Sequence, residues 1–183
     1  GMLRPDLLGA LNGLKPPFIR WPGGSFATDY KWTDGLGPRE SRVYHPNMIW
    51  GGYSDYYGFG TDEFMELCRQ LKTEPLIVLP ATKRTPEDVK YAMDWVHYLN
   101  DPVTTEMGKL RAANGHPEPY NVKYFQIDNE PMNFNITPDQ YAELVNLYGS
   151  ELRKIDPGLK IVFQVILTRP PDADAVFFHE RSL

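Results

Sequence analysis

Asn129 and Glu130 are adjacent side chains that could do chemistry together. They close the segment Val122-Lys123-Tyr124-Phe125-Gln126-Ile127-Asp128, whose β-branched and aromatic residues suit a half-buried pleated surface. Pro131 follows at once and cannot donate to a sheet ladder. A carboxylate at the C-terminal end of a parallel strand stands where β/α barrels keep their reacting groups. There a carboxyl can pass a proton to a leaving oxygen while a neighbouring amide holds a sugar hydroxyl. The same Glu130 could instead cap the next helix. Asp128 is a candidate second carboxylate, but neighbours on one strand end rarely converge across a substrate. Strict alternation also sends Asn129 and Glu130 to opposite faces, so both serve one site only if a bulge or tight turn breaks the strand.

The elements that must position these groups alternate between strand and helix. Leu7, Leu8, Leu11 and Leu14 recur at helical spacing before Pro16-Pro17, and Phe18-Ile19-Arg20-Trp21 reads as a short strand. A long Gly-, Trp- and Tyr-rich loop is expected over 22–60. The next helix starts near Thr61 and presents Phe64, Leu67, Cys68 and Leu71. Pro75-Leu76-Ile77-Val78-Leu79 is a continuous apolar run, as for a strand buried on both faces. Thr85 N-caps a helix with Pro86 at its first position, and Thr137-Pro138-Asp139-Gln140 is a capping box for another. The stretch 101–121 reads as a loop and Lys160–Ile166 as the last strand. Such alternation implies a parallel sheet with helices outside it. Four strands are too few for a closed barrel, which needs eight strands and typically about 250 residues.

Composition narrows the partners. The formal net charge of −5 argues against a nucleic-acid backbone, and no apolar run approaches the length of a membrane span. Eleven Tyr and four Trp lean towards carbohydrate contact, although such rings more often serve as core. Trp32, Trp50 and Tyr57 could form a sugar platform, whereas Trp95 reads as packing. The single Cys68 excludes an internal disulfide and suits a reducing compartment, so a cytoplasmic location is expected. Four scattered His and one Cys show no metal-ligand spacing, and neither metal nor cofactor is expected. His97 and His116 have no visible partner in the sequence.

Several segments in order resemble the α-L-arabinofuranosidases, retaining glycosidases with a β/α barrel. Arg20-Trp21-Pro22-Gly23-Gly24-Ser25 is similar to the family's Arg-x-Pro-Gly-Gly segment, and Tyr30-Lys31-Trp32-Thr33-Asp34-Gly35-Leu36-Gly37-Pro38 to the stretch after it. Gly58 to Cys68, Glu74-Pro75, Arg111 to Gly115 and the Asn129-Glu130 pair follow in the family order. The resemblance implies that residues 1–183 form one partial (β/α)8 barrel holding family strands two to five. It implies Glu130 as the catalytic acid/base, Asn129 and Arg20 as substrate-binding residues, and Ser25 as a further sugar contact beside the platform ring Trp32. Ser25 stands where many members carry Asn or Cys, and Asp55-Tyr56-Tyr57 where some carry Glu-Thr-Asn.

The family's nucleophilic Glu would lie on a strand beyond Leu183. Hydrolysis of terminal arabinofuranosyl residues is therefore expected to be lost in the isolated chain. Two other readings stay open: a non-catalytic carbohydrate-binding protein, and a scaffold that assembles through its open sheet edges. Arg20 could equally be a structural ion pair with Glu74 or Asp128. Unpaired strand edges and an uncovered inner face also predict a homo-oligomer.

Overall fold

The apolar runs become strands, and the 3.6-residue patterns between them become helices. The computed structural model describes residues 4–165. In chain order these form α1 (Pro5–Leu14), β1 (Phe18–Trp21), α2 (Phe26–Asp29), β2 (Tyr44–Asn47), β3 (Tyr53–Tyr56), α3 (Thr61–Leu71), β4 (Glu74–Leu79), α4 (Pro86–Asn100), α5 (Glu106–Ala113), β5 (Tyr124–Ile127), α6 (Pro138–Ile155) and β6 (Lys160–Val162). One sheet has the order β1-β4-β5-β6, all parallel, with Trp21 beside Ile77, Leu79 beside Ile127 and Phe125 beside Ile161. The fold is thus the expected α/β half of a barrel.

Alternation along the strands gives the sheet two different faces. Ile19, Trp21, Ile77, Leu79, Phe125 and Ile127 meet Phe64, Val96, Leu99, Leu144 and Leu152 of α3, α4 and α6 in the main core. On the other face Leu76 and Val78 pack with Ala27 of α2. That face would line a barrel's interior. It was expected to lie bare, but Val78 and Ala27 are fully buried, because α2 folds over the C-terminal half of the strands. The N-terminal half stays open, with Phe18 56% exposed.

The segment 22–60 is built rather than loose. It holds α2, several 3-10 turns and the antiparallel β2–β3 hairpin. Buried Arg42 seats it on α3. Its guanidinium makes two 2.9 Å hydrogen bonds to Glu63 and donates further to the carbonyls of Tyr57 and Gly37. Glu63 also accepts from the Gly60 N–H at 2.8 Å, and a Cβ at Gly60 would lie 2.1 Å from the Gly35 carbonyl oxygen.

The stretch 101–121 contains α5, where a loop was expected. Thr105 N-caps it, and its buried residues are Gly108 and Arg111. Arg111 is fully buried and donates to the carbonyls of Tyr98, Asp101, His116 and Pro117. Both predicted caps form: Thr85 accepts from the Asp88 N–H, and Thr137 and Gln140 complete their box. The leucine-spaced α1 forms but buries none of its residues. The last strand pairs only over Lys160–Val162, and Ile166 lies outside the described residues.

Candidate active site

Regular β5 ends at Ile127, and the backbone then turns sharply. Asp128 (φ 52°) and Glu130 (φ 45°) both adopt the left-handed conformation. Such residues cost about 1 kcal/mol or more unless glycine, and persist where surrounding bonds over-determine them. This is the irregularity that placing Asn129 and Glu130 at one site required. The hold comes from Asp128 itself. Its N–H donates to the Leu79 carbonyl at 3.0 Å. Its carboxylate accepts from Thr28 Oγ1 (2.6 Å), the Asn129 N–H (2.6 Å) and the Ala81 N–H (2.7 Å). Burial pushes the Asp128 carboxyl above the usual range, and these bonds oppose that shift. A carboxylate so enclosed cannot be the second reacting group.

Gln126 lies two residues before Asp128 and links the turn to β1. Its Nε2 donates to the Asp128 carbonyl at 2.6 Å, and its Oε1 accepts from Arg20 Nε at 2.8 Å. Arg20 Nη2 then donates to Asn129 Oδ1 at 2.6 Å. The partners anticipated for Arg20 were Glu74 and Asp128, yet Glu74 lies near Lys123 (3.7 Å) and Asp128 is filled as described. Arginine only donates, so its bond fixes the amide orientation of Asn129. Among the described residues, the Nδ2 group is left buried with no partner.

Glu130 is exposed beside this network. Its N–H donates to Gln164 Oε1 at 2.5 Å, and its carboxylate accepts from Asn133 Nδ2 at 2.9 Å. Burial draws the Arg20 guanidinium below its ordinary pKa, while the Glu130 charge pulls it back up, so the two groups feel each other. Arg20, Asn129 and Glu130 therefore meet at the C-terminal edge of the sheet. Gln126, Thr28, Asn133 and Gln164 were not singled out from the sequence. Only Gln126 left a readable trace, as a polar residue inside an apolar strand.

The anticipated aromatic platform does not form as a unit. Trp32 is 1% exposed, stacks on Trp95 at 6.1 Å and donates its indole N–H to the Tyr91 carbonyl. Tyr57 is also buried, between Tyr30 and His45. Apolar rings close to the long segment's own core are drawn inside, so Trp32 is core rather than sugar contact. Trp50, after β2, is 60% exposed. Ser25 is buried just ahead of α2, where its carbonyl accepts from the Thr28 N–H.

His97 pairs with Asp101 at 3.0 Å, and His116 packs against Tyr120. His116 and Tyr120 also line a cavity of about 520 Å³ between α3 and residues 115–120. None of that cavity's lining belongs to the Glu130 group. Among the described residues, no cluster of three or more His, Cys, Asp or Glu side chains could hold a metal ion. No described helix is long and apolar enough to cross a membrane.

A family model described as the alpha-L-arabinofuranosidase 1 domain matches residues 10–182. The chain belongs to the α-L-arabinofuranosidase family. Within the family it is 39% identical over 163 residues to alpha-L-arabinofuranosidase C of Emericella nidulans, and 36% identical over 155 residues to the intracellular exo-alpha-L-arabinofuranosidase of Bacteroides ovatus. These alignments cover 87% and 84% of this chain but 32% and 30% of the relatives. The arabinose complex of the Thermotoga maritima enzyme superposes with a TM-score of 0.80 at 36% identity, covering 88% of this chain and 33% of that one. The family 51 enzyme from Bifidobacterium longum does so with a TM-score of 0.86 at 25% identity, covering 98% and 36%. The chain thus spans about a third of the length of the family members it matches.

Proposed function

We propose that this chain carries the acid/base part of a retaining α-L-arabinofuranosidase site, which cleaves terminal arabinofuranosyl residues from arabinan- or arabinoxylan-type glycans. The observation that carries this reading is the Arg20–Asn129–Glu130 arrangement. An amide locked through Oδ1 by a guanidinium offers a buried Nδ2, unpartnered among the described residues, beside an exposed carboxyl. Retaining hydrolysis uses two carboxyl groups about 5–5.5 Å apart, one giving a proton to the leaving oxygen and one attacking the anomeric carbon. Glu130 takes the first role and then draws a proton from the water that releases the sugar. Asn129 Nδ2 donates to a hydroxyl next to the anomeric carbon and so holds the ring against Glu130, one of the hydrogen bonds at that hydroxyl on which glycosidases draw in the transition state. Arg20 keeps that amide in place. Ser25 borders the sugar, and Trp50 offers a ring to the leaving group.

Asp128 does not supply the attacking carboxylate, and by family resemblance that group belongs to a strand beyond Leu183. The 183-residue chain alone is therefore expected to bind the sugar without turning it over. Two finer points belong to the same proposal. A cytoplasmic location is supported by the Bacteroides ovatus relative, which is named intracellular. Association through the edges of β1 and β6 is supported by their having a neighbour on one side only among the described residues.

The test is NMR titration with arabinose, reading the Asn129 side-chain amide. A saturable shift is expected, and no shift up to roughly 100 mM, beyond the weakest useful affinity, rejects the reading. In a chimera with the remaining two-thirds of the Thermotoga maritima enzyme, Glu130→Ala should lose hydrolysis of natural glycans. Azide, a nucleophile that needs no general base, should restore turnover of a 4-nitrophenyl arabinofuranoside.

A further inference from the structure

We infer that Asp128 is a positioning residue, whose buried carboxylate joins three separate segments and so sets the direction in which Asn129 and Glu130 face. This rests on the reading of Asn129 and Glu130 as the sugar-side groups.

Three segments meet on this one side chain. Oδ1 accepts from the Thr28 hydroxyl of α2, the short helix that covers the barrel-interior face, and from the Asn129 N–H. Oδ2 accepts from the Ala81 N–H in the connection after β4. The main chain of Asp128 is engaged as well, its N–H by Leu79 and its carbonyl by Gln126 Nε2. The residue itself is fully buried. With Asp128 and Glu130 both left-handed, Asn129 is swung to the side where Arg20 meets its Oδ1. Regular strand geometry would send it elsewhere. The bonds to the carboxylate are what keep this costly turn.

The partners also specify an acid at this position rather than an amide of the same shape. Backbone N–H groups can only donate, and one faces each carboxylate oxygen. An asparagine has one oxygen and one NH2. In either orientation its NH2 would oppose the N–H of Ala81 or of Asn129. Asp128→Asn therefore keeps the volume but leaves a buried donor facing a donor. If the Asn129 N–H is the one released, the turn is free to relax. Asn129 then leaves Arg20, the direction of Nδ2 is lost, and the Glu130 peptide shifts from Gln164.

The experiment uses the 183-residue chain, amide hydrogen exchange and arabinose as the probe. In Asp128→Asn the amide spectrum of the core, read at Trp95 and Phe125, should stay dispersed. Exchange of the Asn129 or Ala81 N–H should quicken at least about tenfold, and the arabinose response of the Asn129 side-chain amide should weaken at least about tenfold, the scale of one charge-assisted hydrogen bond. A variant that merely melts at lower temperature, with both site signals kept in its folded fraction, overturns the proposal. Should Asp128→Asn not fold, Thr28→Val removes only the tie to α2 and leaves the carboxylate. A smaller change in the same direction supports the role, and unchanged exchange overturns it. A parent chain that ignores arabinose would refute the proposed function alone. The exchange measurement needs no sugar, so quickened or unchanged rates would still decide for or against Asp128.

Discussion

Cys68 lies on the core face of α3, where burial first and the Glu74 charge second push its thiol up to about 12. Burial also raises the Tyr57 phenol to about 12. Both groups have folded pKa values above their ordinary 9.0 and 10.0, so the stability they contribute is complete below those values and is lost as pH climbs towards 12. A native chain is therefore expected to ignore an aromatic disulfide reagent at pH 8 and to unfold between pH 9 and 12; rapid labelling at pH 8 would contradict this. The two exposed-or-buried tryptophans separate in the same way. Trp32→Ala should cost about 3–5 kcal/mol in urea unfolding, as for a large core side chain. Trp50→Ala should stay within about 0.5 kcal/mol while weakening glycan contact. That Glu130, Asn129 and Arg20 come together was legible because they fall in short ordered motifs at strand ends. Thr28 and Gln164 were not, since a hydroxyl or amide meeting a partner 100 or 34 residues away leaves no local pattern. Trp32 was misread because ring type alone does not say which side of a segment faces solvent.

Elements whose burial is apolar were readable from their periodicity, and their ends from cap chemistry. Thr137→Ala should lower stability by about 1 kcal/mol, the usual cost of a lost N-cap, and thermal unfolding measures it. Helix α5 escaped this logic because its buried face is one glycine and one arginine, so no hydrophobic stripe marks it. The readable sign was Thr105 ahead of Glu106. Arg111 acts there as a polar core, tying α5 to the end of α4 and to the path into β5 through four carbonyl groups. Arg111→Ala strands those acceptors at about 1–3 kcal/mol each, so it should abolish cooperative unfolding, as followed by circular dichroism. A Cβ at Gly108 would lie 2.0 Å from the Pro102 carbonyl oxygen, so Gly108→Ala should displace the whole helix start.

At the scale of the molecule, four parallel strands and an outer helix layer were foreseeable, because alternating elements allow few topologies. The cover that α2 gives to the inner face was not, since its four residues carry no pattern beyond Ala27. That cover shrinks the surface left for a partner, but Phe18 and Leu14 are exposed, and among the described residues no strand pairs with the outer edges of β1 and β6. Self-association at micromolar concentration is expected in sedimentation experiments, and a monodisperse monomer would mean that α2 and the segment around it suffice. One further property follows from the aromatic packing. Trp21 of β1, Trp32 of the segment 22–60 and Trp95 of α4 are linked ring to ring, at 5.8 Å and 6.1 Å, while Trp50 stands apart in solvent. Light absorbed by any of the three is shared among them before it is emitted. The protein thus carries its own optical gauge: a blue-shifted, quencher-resistant emission reads whether the segment that bears α2 is seated, and a separate red-shifted component from Trp50 reads what touches the hairpin.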